Sequence, residues 1–137
     1  MTTFDVRPVR DGDVDGWLPM WEAYNASYGR TGPTALPAEI TATTSARFLD
    51  PTEPVHALVA DTGNGLVGPA HYLFHRSTTA IAYSCHLQDL FTTEEARGKG
   101  VGRALIEAVS ERAEGSGRLH DAVADRTEFI VYAKSLA

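Results

Sequence analysis

Apolar and polar residues alternate at the start of the chain, with Phe4, Val6 and Pro8 set against Asp5 and Arg7, which predicts a strand over residues 4–9. The period then lengthens. Trp17, Met20, Trp21 and Tyr24 are spaced for one helical face, so a helix is predicted from an N-cap at Asp13 to about Tyr28, where Gly29, Gly32 and Pro33 break it. Residues 36–49 read as a second helix with Ile40 and Phe48 turned inward, and Pro51 and Pro54 mark the loop beyond it. Residues 55–60 and 66–75 read as two strands joined by the turn Asp61-Thr62-Gly63-Asn64-Gly65. A third run, residues 81–92, is apolar at Ile81, Tyr83, Cys85 and Leu87 and then changes phase around Asp89-Leu90-Phe91. A β-bulge there would re-aim side chains beside a site. After Gly102, helical spacing returns at Ala104, Leu105, Ala108, Val109 and Ala113, ending at Gly115-Ser116-Gly117. A short helix over residues 119–125 and a last strand over 129–132 complete the prediction. No repeat or linker interrupts the pattern, so residues 1–137 are read as one domain.

Composition narrows the classes. At 137 residues, 43% hydrophobic and 22% charged, the chain is long enough to bury about two-thirds of its unfolded surface and too apolar to be disordered. Its net charge of −6 speaks against a nucleic-acid binder, which needs a basic face, and favours cationic partners such as amines. The single cysteine, Cys85, excludes an internal disulfide framework and a multi-cysteine zinc site. No apolar run approaches the ~20 residues of a membrane span, and the polar start MTTFDVRPVRDGDVDGW does not read as a signal peptide. A cytoplasmic protein without membrane contact is expected.

The chemistry concentrates between Leu90 and Arg103, where a strand meets an acidic turn, a glycine-rich basic loop and an amphipathic helix. Bare glycine backbones let N–H groups approach an anion, and a helix start adds about half a positive charge. Arg97, Lys99 and Arg103 place cations on the same loop of an acidic chain. A dinucleotide fingerprint fails, because its third glycine falls on Arg103 or Leu105, and no nucleotide P-loop string occurs. Arg97-x-x-Gly100-x-Gly102 fits the Q/R-x-x-G-x-G/A pattern of an acetyl-CoA loop.

On these residues the chain resembles the GCN5-related N-acetyltransferase (GNAT) superfamily, and a bacterial member is suspected. Leu66-Val67-Gly68, the run His71 to His75, Leu87 to Phe91 and Arg97 to Glu107 look like successive segments of that family. The resemblance implies an α/β fold with a mixed, mostly antiparallel sheet flanked by helices. It implies acetyl-CoA as cosubstrate, with the backbone of Leu90, Phe91 and Thr92 along its pantetheine arm and Arg97, Gly98, Lys99, Gly100, Val101, Gly102 and Arg103 around its pyrophosphate. The acceptor would be a primary amine, on a small molecule such as a polyamine or amino acid or on a protein lysine, attacking the thioester directly. Such an amine is protonated at neutral pH, so a group must take its proton. Relatives that acetylate polyamines carry a glutamate where this chain has Gln88, and an amide is no base. Asp89 is the nearest carboxylate, assisted by ordered water, with His86 through water as another route. A weakly active or inactive acyl-CoA-binding or dimerisation module of the same fold is the alternative.

The chain departs from the family pattern after residue 117, where the family's central strand and asparagine-bearing loop find no counterpart. The position of the family's acidic tyrosine falls on His120, whose imidazole would donate the proton to the leaving thiolate. An absent strand would leave residues 87–92 with an open edge. The last strand, a strand from a second copy in a homodimer, or a segment left out of the chain would fill it. The remaining features read as structure: His71 and His75 as structural histidines, Trp17, Trp21, Tyr24 and Tyr28 as core, and Asp11, Asp13, Asp15 and Glu22 as solvated helix-capping acids.

Overall fold

The computed structural model describes residues 3–115 and 129–131. Five strands form one sheet in chain order: β1 (Asp5–Pro8), β2 (Val55–Asp61), β3 (Leu66–His75), β4 (Ser84–Leu90) and β5 (Phe129–Val131). The first four pair antiparallel and β5 lies parallel to β4. Helices α1 (Val14–Ser27) and α2 (Ala38–Phe48) precede the central hairpin, and α3 (Val101–Gly115) follows β4. The fold is thus the expected α/β arrangement of a mixed, mostly antiparallel sheet with flanking helices.

Alternation along the strands sends side chains into two separate cores. On one face Leu58, Ala60, Ala70, Tyr72, Cys85 and Leu87 pack against Val101, Leu105, Val109 and Ala113 of α3. On the other, α1 supplies Trp17, Met20, Trp21 and Tyr24, joined by Phe91, with Phe48 of α2 packed against them. Gly68 lets α3 come close to the sheet. A Cβ there would sit 2.9 Å from the Phe91 carbonyl oxygen and 3.0 Å from both Leu105 and Val101 side chains.

Three expectations need correction. Ile40 points out of α2, at 45% exposure, and Ile81 is 83% exposed because β4 begins only at Ser84. Asp13 precedes α1 but makes no side-chain cap bond to that helix, capping the short 3-10 turn before it. Its buried carboxylate instead accepts the Arg10 backbone N–H at 2.7 Å and two hydrogen bonds from Arg7, which also reaches Asp61 at the end of β2. The acids of this segment are therefore not uniformly solvated: Arg7 ties β1, the start of α1 and β2 together.

β5 occupies the place beside β4 that the sequence left open. Its described residues pair with Cys85, His86 and Leu87. Tyr132, the end of the predicted strand, and residues 119–125 with His120 lie outside the described residues.

Candidate acetyl-transfer site

The register of β3 against β4 slips between His71 and Tyr72. Tyr72 faces Leu87 and His71 faces Asp89, so Gln88 is the extra residue of a bulge. Cys85 and Leu87 point into the α3 core. Unbroken alternation would send Asp89 and Phe91 the same way. The bulge reverses the phase, putting Phe91 into the aromatic core under α1 and Asp89 beside His71 on that face. The phase shift read from the sequence is real and begins one residue earlier than Asp89.

Around Asp89 the polar groups are ordered by their donor and acceptor capacities. Trp17 Nε1 donates to His71 Nε2 at 3.0 Å, and His71 Nδ1 stands 3.0 Å from Asp89 Oδ2. An indole nitrogen only donates, so Nε2 is the acceptor and the ring hydrogen sits on Nδ1, donating to the carboxylate. The Asp89 side chain remains 17% exposed. Tyr24 also hydrogen-bonds Asp89. Burial, then the Asp89 charge and hydrogen bonds to Asp89 and Tyr28, hold its phenol well above the ordinary value, so it stays an O–H donor. His86 lies on the preceding stretch of β4, where burial and then His75 lower its pKa. The lone thiol takes no part, since burial pushes Cys85 up to about 12.

The glycine loop lies at the C-terminal end of β4. Gly98 and Gly100 have φ of 80° and 82°, a conformation that favours glycine. Ala104 N–H donates to the Gly100 carbonyl, closing the first turn of α3. The N–H groups of Val101, Gly102 and Arg103 therefore have no acceptor within the helix. Gly102 differs from its neighbours: its φ is ordinary, and a Cβ would meet nothing nearer than Thr92 Oγ1 at 3.6 Å. The protein does not need a bare backbone there, whereas an anion approaching those N–H groups does. A cavity of about 230 Å³ opens here, lined by Leu90, Phe91, Thr92, Arg97, Gly98, Gly100, Val101, Gly102 and Arg103 together with Ala96. Lys99 lines a different hollow, with Thr3, Thr62, Asn64 and Glu95. Phe91 and Thr93 donate backbone N–H groups to Pro69 and Val67, extending the ladder to β3. The intervening Leu90 and Thr92 groups face the opposite edge, where none of the described residues of β5 pairs with them.

A family model described as "Acetyltransferase (GNAT) domain" matches residues 53–134. The chain belongs to the GNAT acetyltransferase family. It is 40% identical over 114 residues to the D-amino-acid N-acetyltransferase HPA3 of Saccharomyces cerevisiae, covering 82% of this chain and 68% of that one. A ribosomal-protein-alanine N-acetyltransferase from Brucella melitensis biovar Abortus 2308 shares the fold at 18% identity, with a TM-score of 0.71 over 98% of this chain and 83% of the other. The aminoglycoside N-acetyltransferase AAC(6')-Iy, solved in complex with CoA, matches at 13% identity and a TM-score of 0.72, over 98% and 78% of the two chains. This GNAT member is an acetyl-CoA-dependent N-acetyltransferase.

Between α1, α2 and the loop joining them lies a second cavity of about 650 Å³, whose wall includes Trp17, Trp21, Glu22, Asn25, Arg30, Leu36 and Thr41. Trp17 and Trp21 stack at 5.3 Å, and Trp21 Nε1 donates to Thr41 Oγ1. Sequence reasoning took these aromatics for core, and they are both core and wall. It missed His71 and Tyr24 as partners of Asp89, because that meeting depends on the bulged register of β3 against β4.

Proposed function

We propose that this enzyme acetylates the primary amine of a small molecule held between α1, α2 and β4, with Asp89 accepting the amine's proton. The observation that carries the reading is the Gln88 bulge, which sets Asp89 on the α1 face beside a positioned histidine and tyrosine. Acetyl-CoA supplies the acetyl group activated as a thioester. Arg97, Gly98 and the first N–H groups of α3 hold its pyrophosphate, and Arg103 stands at the same cavity. The backbone of Leu90 and Thr92, which no described residue of β5 pairs, offers its pantetheine arm a strand-like partner and the carbonyl oxygen a donor.

The acceptor amine loses a proton before its nitrogen lone pair is available. A carboxylate has about four lone-pair positions, so Asp89 takes hydrogen bonds from His71 and Tyr24 and keeps room for that proton. His71 acts as a positioning residue. Protonating its Nε2 would set that N–H against the Trp17 N–H. As the amine's new N–C bond forms, the thioester C–S bond breaks and the thiolate leaves. Cys85, buried and held protonated, offers no covalent detour. Its likeness to the yeast enzyme makes an amino acid the first acceptor to try.

The test is a panel of amino acids, polyamines, aminoglycosides and lysine peptides with acetyl-CoA, reading thiol release and N-acetylated product by mass. Saturable acetylation of a small amine is expected. Acetylation confined to protein lysines, or acetyl-CoA binding without transfer to any amine, would overturn the reading; the latter would leave a binding module.

A further inference from the structure

Arg30 stands on the wall of the larger cavity with its charge unanswered. Its Nε donates to Asn25 Oδ1 at 2.6 Å, and its backbone N–H donates to the Asn25 carbonyl at 2.9 Å. Asn25 is 4% exposed and is itself fixed by donating from Nδ2 to the Trp21 carbonyl. The guanidinium lies 5.1 Å from the centre of the Tyr28 ring. Among the described residues, no acceptor lies within hydrogen-bond reach of its two terminal amino groups and no carboxylate pairs with it. Glu22 borders the same cavity without forming an ion pair.

The partly buried guanidinium is held by Asn25 and the Tyr28 ring on the wall of a cavity that also includes two tryptophans, and its terminal amino groups are left for a ligand anion. The planar fork suits a carboxylate. Two chains of side-chain contacts link the cavity wall to Asp89, which lies behind that wall and not on it. Trp17, on the wall, bonds His71, which bonds Asp89. Tyr28, under Arg30, contacts Tyr24 at 5.1 Å between ring centres, and Tyr24 bonds Asp89. Residues of α1 thus couple the guanidinium on the wall to the carboxylate behind it.

We infer that Arg30 reads the carboxylate of the acceptor, so that the preferred substrates are free amino acids with an apolar side chain lying against Trp17 and Trp21. This assignment rests on the reading of the cavity as the acceptor site. Asn25 aims the guanidinium, and Arg30 selects amino-carboxylates over simple amines and over amides of the same shape.

The experiment compares phenylalanine, phenylalaninamide and phenethylamine on the CoA-saturated protein. Binding is read from Trp17 and Trp21 fluorescence, and kcat/KM is measured separately with acetyl-CoA. Wild type is expected to favour the amino acid over its amide by about tenfold or more in both readouts. Arg30→Gln should bring that ratio close to one, and Arg30→Lys should restore part of it, with melting curves confirming that each variant folds. A wild-type ratio near one, or a ratio unmoved by Arg30→Gln, overturns the inference. Carboxylate-dependent binding without turnover would keep Arg30 and remove the acetyl-transfer reading. Turnover indifferent to the carboxylate would do the reverse.

Discussion

Gln88 cannot act as a base and stays exposed, yet the extra residue it adds to β4 decides which side of the sheet Asp89 faces. Without it, a carboxylate at this position would enter the α3 core among Cys85, Leu87 and Leu105, where an unpaired charge is expensive. The apolar positions recorded that shift, because Cys85 and Leu87 keep one phase and Phe91 takes the other. The partners of Asp89 left no such mark. His71 lies 18 positions away and meets Asp89 only through the register, while Tyr24 reaches it from another element. Cys85 is the residue whose chemistry burial removes. Because its thiol is pushed up to about 12, native protein should resist iodoacetamide at neutral pH, and Cys85→Ala should retain most of kcat. Loss of turnover in that variant without loss of folding would point to a covalent route.

At the scale of elements, the start of α3 was the most legible part of the chain. Its glycine spacing appears in sequence because the backbone constraints are local: two positive φ values at Gly98 and Gly100, and a bare N–H group at Gly102. The acceptor cavity was not legible, since α1 and α2 build it from residues that also pack a core, and Asn25 and Arg30 belong to no motif. The loop makes a sharp prediction. Gly102→Asp puts a carboxylate in the first turn of a helix, where it should leave the melting temperature unchanged or raise it slightly. The same charge repels a pyrophosphate, so calorimetric affinity for acetyl-CoA should fall by about a hundredfold or more. Undiminished affinity would remove the cofactor from this loop.

Across the whole molecule, the two ends of the sheet are built differently. Arg7 joins three elements through Asp13 and Asp61, and its own pKa is raised by those bonds. Hydrogen bonds from Arg7, then from the Arg10 backbone, lower Asp13, while the Gly63 backbone and then Arg7 lower Asp61, both from an ordinary 3.8. Carboxylates with lowered folded pKa values contribute stability that is present above the unfolded value and lost as pH falls through the folded one. Arg7→Met should therefore lower the melting temperature by about 5–10 °C at pH 7. Its deficit relative to wild type should shrink below about pH 4, where both lose the network. An equal deficit at pH 7 and pH 3 would contradict the electrostatic account. At the other end, the described residues of β5 pair with Cys85, His86 and Leu87, short of Leu90 and Thr92 at the glycine-loop cavity, an arrangement set by pairing across the chain that no local pattern announces. In the function proposed above, the bulge, the Leu90–Thr92 backbone and the glycine loop serve one act, removal of a proton from an amine beside bound acetyl-CoA. Single-turnover acetylation by Asp89→Asn tests it most directly, because asparagine still accepts the His71 and Tyr24 hydrogen bonds while losing its basicity. The rate should fall by about a hundredfold or more with acetyl-CoA affinity changed only a few-fold. A rate equal to wild type would contradict the account.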